Sequence, residues 1–175
     1  FASMNLSFSR GDDPEKVTEN FRRIAAAVGF DPADLVLTDQ VHKTEIHEAG
    51  RADCAGTDLT QKKLEEIDGL ITDVPGLMLG TSYADCVPLF FVDPVRKAVG
   101  LSHSGWKGTV GKIGQKTVER MKERYQTDPG DLIAVIGPSV CPSCYEVSRE
   151  VAEEFQRQFK PEQWAEFLHE KEDGK

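Results

Sequence analysis

The segment Asp93-Pro94-Val95-Arg96 separates two runs rich in β-forming residues, Gly76 to Asp93 and Lys97 to Ser104. Proline at the second position of a turn has its φ already set, and aspartate at the first accepts hydrogen bonds from the backbone that follows, the chemistry of a type I turn. A hairpin closed by these four residues sets Asp93 against Arg96, Val92 against Lys97 and, further along, Cys86 against His103. Directly opposed residues carry Cβ atoms about 4.5–5.5 Å apart on one face of the sheet. That gap suits a shared zinc ion, with bonds of about 2.3 Å to sulfur and 2.0–2.1 Å to nitrogen. A slip of one residue would send the two side chains to opposite faces.

The same pairing makes both faces of the hairpin apolar. Val87, Leu89 and Phe91 share one face with Ala98 and Gly100, while Phe90 and Val92 share the other with Val99 and Leu101. Strands buried on both sides call for a layer above and a layer below. The expected architecture is therefore α+β, a three-layer α/β/α sandwich with a central mixed sheet and the site at its open end.

Around this centre the helical signals are regular. Asp12 or Asp13 caps a helix that has Pro14 in its first turn, Val17, Phe21, Ile24, Ala25 and Val28 on one face, and Gly29 as its stop. Val110, Ile113, Thr117, Val118, Met121 and Tyr125 line a second helix that starts near Thr109 and ends at Thr127-Asp128-Pro129-Gly130. Val151, Phe155 and Phe159 line a third, before a charged tail. Strands are expected at Ala33 to His42, at Thr44 to Ala49, and at Asp131 to Val140 as a buried strand, with a polar loop from Gly50 to Glu66.

Bulk properties narrow the function classes. A chain of 175 residues is one domain's length, and the net charge of −9 argues against sequence-independent nucleic-acid binding, which needs clustered Lys and Arg. No apolar run approaches the roughly 20 residues of a membrane span, so no membrane anchor is expected. Four cysteines are too few for a disulfide scaffold at this length, which favours a reducing cytoplasm. Nothing in the sequence reads on oligomeric state.

Two further motifs bear on chemistry. In "HSGWKGTVGKIG", His103 to Gly114, spaced glycines enter a helix whose N-terminus favours anions, but the order of a Walker phosphate loop is absent. Lys107 reads either as a phosphate contact or as a solvated loop charge, and Trp106 as a packing residue. "CPSC", Cys141 to Cys144, is a single C-x-x-C with no second pair and no thioredoxin-like context, and it reads as a loop.

Taken together, "DQVHKTEI", "DGLITDVPGLMLGTSYADCVPLFFVD", "GLSHSGWKGTVGKIG" and "GPSVCPSCYEVSREVAEEF" resemble, in order and spacing, the motifs of the YfiH or laccase-domain family, regarded as zinc-dependent purine nucleoside phosphorylases. The resemblance covers most of the chain. It implies a YfiH-like fold and a single domain over residues 1–175, incomplete at both termini. It also implies a zinc site of His42, Cys86 and His103. Of these, the hairpin register had singled out the last two independently, whereas His42 is chosen over His47 by the motif alone. Three protein ligands leave a fourth position open, the catalytic pattern for zinc. Copper is the less favoured ion, because the four histidines include no H-x-H pair and no axial Met is evident.

The implied reaction is cleavage of adenosine, inosine, guanosine or methylthioadenosine by inorganic phosphate, with adenosine deamination as a side activity. Its site residues carry over as Cys86 and His103, with Asp85 as a proton-handling or ligand-supporting carboxylate that strand alternation points away from Cys86. Lys107 stands where the family usually has Arg, which keeps the charge but loses the bidentate fork. A Cys86–His103 thiolate–imidazole dyad, making the chain a cysteine hydrolase or deamidase, is the rival enzyme reading. A non-catalytic partner protein is the rival outside enzymology.

Overall fold

The hairpin at Asp93 organises the computed structural model, which describes residues 4–60, 63–164 and 166–169. Its strands are β1 (Leu35–Leu37), β2 (Ile46–Glu48), β3 (Gly69–Thr72), β4 (Met78–Gly80), β5 (Val87–Asp93), β6 (Ala98–Ser104) and β7 (Ile133–Ile136). Its helices are α1 (Pro14–Val28), α2 (Trp106–Val110), α3 (Ile113–Tyr125), α4 (Arg149–Gln158) and α5 (Pro161–Trp164). Five strands form one sheet in the order β2-β3-β6-β5-β7, parallel between β2 and β3 and antiparallel elsewhere, and β1 pairs with β4 in a separate parallel ribbon. The α+β class and the central mixed sheet are as expected.

The turn is longer than its four-residue signature suggests. Asp93 faces Ala98, not Arg96, and His103 faces Pro88, not Cys86. The cause is local: the Asp93 carboxylate accepts from the N–H groups of both Val95 and Arg96, and Lys97 adopts a left-handed φ of 56°. The left-handed residue lengthens the loop to Pro94 through Lys97, so pairing resumes two positions further out. Because the side-chain period of a strand is two, this shift keeps each residue on the face assigned to it.

Side-chain packing follows that alternation on one face only. Ile71, Phe91 and Ala98 bury against Met121 of α3, and Gly100 lets α3 approach so closely that an added Cβ would lie 3.1 Å from the Met121 sulfur. On the opposite face, Leu70 packs with Val36, Ala49, Cys54 and Leu77. The β1–β4 ribbon forms this second cover and is covered in turn by α1, through Leu35, Leu37, Met78 and Phe21. The cover stops short of β5 and β7. Phe90, Val92 and Val99 are 40%, 40% and 37% exposed, so the expectation that the hairpin is buried on both faces fails here. The strand at Ile133–Ile136, expected to be buried, is an edge strand with all four residues exposed.

Helix boundaries track the capping chemistry. Asp13 accepts from the Glu15 N–H ahead of Pro14, and Gly29 closes α1 at φ 91°. The expected helix from Thr109 is instead two: α2 already begins at Trp106, and Lys112, at φ 59°, separates it from α3. An added Cβ at Gly111 would lie 2.6 Å from Thr44 Cγ2, so the chain must pass this point without a side chain. Phe155 of α4 stacks on Phe159, which caps the helix one residue beyond its end. His42 does not end a strand, since β1 stops at Leu37. The charged tail beyond His169 lies outside the described residues.

One-sided cover has a measurable signature. Met121→Ala, which truncates a fully buried side chain under the sheet, is expected to lower the unfolding free energy by about 2–4 kcal/mol. Val92→Thr, isosteric and on the open face, is expected to change it by less than about 0.5 kcal/mol. Denaturant unfolding of both variants checks the contrast.

Candidate metal centre

Asp68, immediately before β3, has its side chain completely buried. Its Oδ2 accepts from the N–H groups of Val41 and Lys43 at 3.1 and 2.9 Å, and its Oδ1 accepts from that of His42 at 3.0 Å. Successive amides converging on one acceptor make an anion nest, for which the backbone must turn left-handed. His42 is the residue that does so, at φ 60°. Histidine is among the residues enriched in that region.

The same carboxylate reaches β6. His103, 3% exposed, donates its backbone N–H to the Asp68 carbonyl at 2.7 Å, and its Nδ1 lies 2.7 Å from Asp68 Oδ1. An ionised carboxylate can only accept. Nδ1 is therefore the donor of this pair, and Nε2 is the ring nitrogen that a cation would use. His42 and His103 stand edge to face with centroids 4.8 Å apart.

Cys86 arrives from the other side, in the bend before β5. The three donor atoms of His42, Cys86 and His103 lie within 4.8 Å of one another. A zinc-sized ion with bonds of about 2.0–2.3 Å would draw them to roughly 3.5 Å apart, a small adjustment of side chains. Gly105 makes the convergence possible: an added Cβ would lie 2.8 Å from His42 Cδ2 and 3.1 Å from Cys86 Sγ. Burial, reinforced by the negative charges of Asp85 and Asp68, pushes the Cys86 thiol above its ordinary value. Such surroundings suit a sulfur ligand to a cation better than a bare thiolate.

Cys86 and His103 thus meet although they do not pair in register, and His42 joins them. The other residues singled out from sequence stand apart. Asp85 is exposed; its carbonyl accepts from the Val140 N–H, and its carboxylate affects Cys86 only through its charge. Lys107 is exposed on α2, its ammonium 5.5 Å from the centroid of the Trp106 ring. His47 pairs instead with Asp53 at 3.1 Å.

Two residues were not singled out from sequence. Asp68 is one, and nothing in "EIDGLIT" distinguishes a buried acid from the many exposed ones. Tyr83 is the other: its ring centroid lies 5.4 Å from that of His103, and its hydroxyl accepts from Thr81 and donates to the Ser102 carbonyl. Burial pushes the phenol up to about 12, so Tyr83 stays a neutral wall beside the histidine.

Comparison with known proteins matches the chain to one family. The family model described as "Multi-copper polyphenol oxidoreductase laccase" matches residues 1–175. A purine nucleoside phosphorylase of Deinococcus radiodurans is 40% identical over 155 residues, covering 89% of this chain and 56% of its own length. An adenosine deaminase, RL5, from an unknown prokaryotic organism is 37% identical over 160 residues, covering 90% of this chain and 58% of its own. The crystal structure of the hypothetical protein YfiH of Bacillus licheniformis superposes with a TM-score of 0.87 at 36% identity, covering 94% of this chain and 62% of that one. The chain therefore spans less than two thirds of the length of these relatives. With its full length matched and its fold shared, the chain belongs to the laccase-domain family, whose model carries that description.

Proposed function

We propose that this chain carries the zinc site of a purine nucleoside phosphorylase, with His42, Cys86 and His103 as the ligands. The observation that carries the reading is the convergence of these three donors beside the carboxylate of Asp68, which fixes the ring of His103. Relatives named as purine nucleoside phosphorylases supply the reaction class. The substrates are inorganic phosphate and adenosine, inosine, guanosine or methylthioadenosine. Adenosine deamination is a side activity, in keeping with the relative named as an adenosine deaminase.

A divalent ion held by these three residues would supply Lewis acidity toward phosphate or substrate and lower the pKa of a bound water. The chain's own groups divide the remaining work. Asp68 holds the His103 tautomer and, through three amides, the backbone of His42. Tyr83 closes the site beside His103. Asp85 adds negative charge near the cation and is the candidate to relay a proton at the rim. Lys107 offers an exposed ammonium to phosphate. Zinc is preferred over copper because two imidazoles and one thiolate come here with no evident axial Met, and the four histidines of the chain include no H-x-H pair. No helix of the described residues is long and apolar enough to cross a membrane, and a reducing cytoplasm is the proposed setting.

The competing dyad of Cys86 and His103 accounts for neither His42 nor the raised thiol. One experiment separates the readings: incubation with adenosine and phosphate, assayed for adenine and ribose 1-phosphate before and after chelation. The expected result is phosphate-dependent cleavage that falls at least about 100-fold on chelation and returns with zinc. Turnover that survives chelation but is lost on alkylation would establish the dyad instead.

Two substitutions probe the support of the site. Asp68→Asn, which turns an acceptor of four hydrogen bonds into a mixed group, is expected to weaken zinc binding about 10- to 100-fold, as loss of a group that orients a ligand does. Gly105→Ala should weaken it at least tenfold, because its methyl group would displace both His42 and Cys86. Competition titration against a chromophoric chelator, with circular dichroism to verify folding, measures both.

A further inference from the structure

Outside the metal centre, the described residues hold one other pair of cysteines, at Cys141 and Cys144. Both thiols are exposed and neither is disulfide-bonded. The intervening Pro142 and Ser143 form a single 3-10 turn, Pro142–Cys144, in which the Cys144 N–H donates to the Cys141 carbonyl at 3.0 Å. A hydrogen bond between residues i and i+3 brings their Cα atoms to within about 7 Å, next to the roughly 4.4–6.8 Å that a disulfide requires. The turn thus holds the two cysteines close to disulfide range.

We propose that Cys141 and Cys144 form a reversible dithiol–disulfide pair, with low-molecular-weight disulfides as its exchange partners. Cys141 is the attacking thiol. Its Sγ lies 3.2 Å from the Ser143 hydroxyl. Hydrogen bonds from Ser143 and then from Cys144 lower it to about 7, so it is substantially thiolate at neutral pH. The other two cysteines are poor competitors: Cys54 is buried and donates to the Asp34 carbonyl, and Cys86 is half-buried with its thiol pushed up.

The chemistry closes on itself. The Cys141 thiolate attacks one sulfur of a disulfide R–S–S–R, forming a mixed disulfide and expelling one thiolate. Cys144 then loses its proton and attacks Cys141 Sγ, forming the Cys141–Cys144 bond and expelling the second. Two electrons pass from the protein dithiol to the external disulfide, and the two protons leave with the two R–SH products.

The pair lies on the segment that borders the metal centre. Gly137 donates to the Pro88 carbonyl at 2.9 Å and Val140 to the Asp85 carbonyl at 3.1 Å, which ties the segment to the start of β5 beside Cys86. The Tyr145 phenol, the next residue after the pair, is raised by burial and by the negative charges of Cys86 and Asp85. Oxidation of the pair therefore stiffens a loop against the strand start that follows a proposed ligand, without using that ligand. The proposal stands whether or not the site holds zinc.

The test equilibrates the intact chain with graded ratios of reduced to oxidised glutathione, quenches in acid and maps peptides by mass spectrometry. The peptide spanning Cys141 and Cys144 is expected to lose two hydrogens as the ratio falls and to regain them with excess dithiothreitol. In Cys144→Ser, a glutathione adduct is expected to accumulate on Cys141, and limiting iodoacetamide is expected to modify Cys141 several-fold faster than Cys54. A glutathione adduct that persists on Cys141 in the unsubstituted chain would overturn the proposal. So would a bond from either cysteine to Cys86, or zinc retained by this pair after Cys86→Ser.

Discussion

The buried carboxylate of Asp68 is the group on which the arrangement of the site depends. An isolated ionised carboxylate in a protein interior costs several kcal/mol unless its lone pairs are satisfied. Here they are, by three consecutive backbone amides from Val41 to Lys43 and by the ring of His103. One acid therefore joins three pieces of chain that are distant in sequence: the loop after β1, the start of β3 and the end of β6. If it were lost, the loop would have no reason to adopt the left-handed turn at His42, and the His103 ring would lose the partner that fixes its tautomer. Metal affinity and local folding are thus two readings of the same hydrogen bonds.

Electrostatics separates the two kinds of thiol in this molecule. Cys86 lies between carboxylates in a partly desolvated site, where a negative sulfur is disfavoured until a cation arrives. Cys141 lies in an exposed turn among hydrogen-bond donors, where a negative sulfur is favoured without one. The family description names a multicopper oxidase, but four histidines and, among the described residues, one three-donor cluster suit a single ion. Three protein donors that leave a fourth position open are the pattern of Lewis-acid and hydrolytic zinc sites.

Much of the fold was legible because local chemistry decided it. Asp13-Pro14 and Gly29 bound α1, the stripe of Ile113, Thr117 and Met121 marks α3, and the Asp93 turn closes the hairpin. What failed was set by features that pattern does not report. The register moved by two because Lys97 took a left-handed conformation that its identity does not require. Cys86 and His103 still meet because a two-residue shift preserves faces along β5 and β6, and Cys86 lies in the bend immediately before β5. Apolar residues on Phe90, Val92 and β7 read as buried on both sides, yet a pattern gives the character of a side chain and not the layer that covers it. Asp68 escaped notice for the converse reason, since an acid's burial depends on partners brought by distant segments. His42 came from motif resemblance alone, and its loop, not a strand, places it.

The central claim is that one ion is held by one sulfur and two imidazole nitrogens. X-ray absorption spectroscopy of the zinc-loaded protein tests it most directly, because it reads the ligand shell without depending on substrate or on the rest of the enzyme. The expected shell is a single sulfur at about 2.3 Å and two imidazole nitrogens at about 2.0–2.1 Å, with one further light ligand. A shell of two or more sulfurs, which would move the ion to Cys141 and Cys144, or a shell with no sulfur at all, would contradict it.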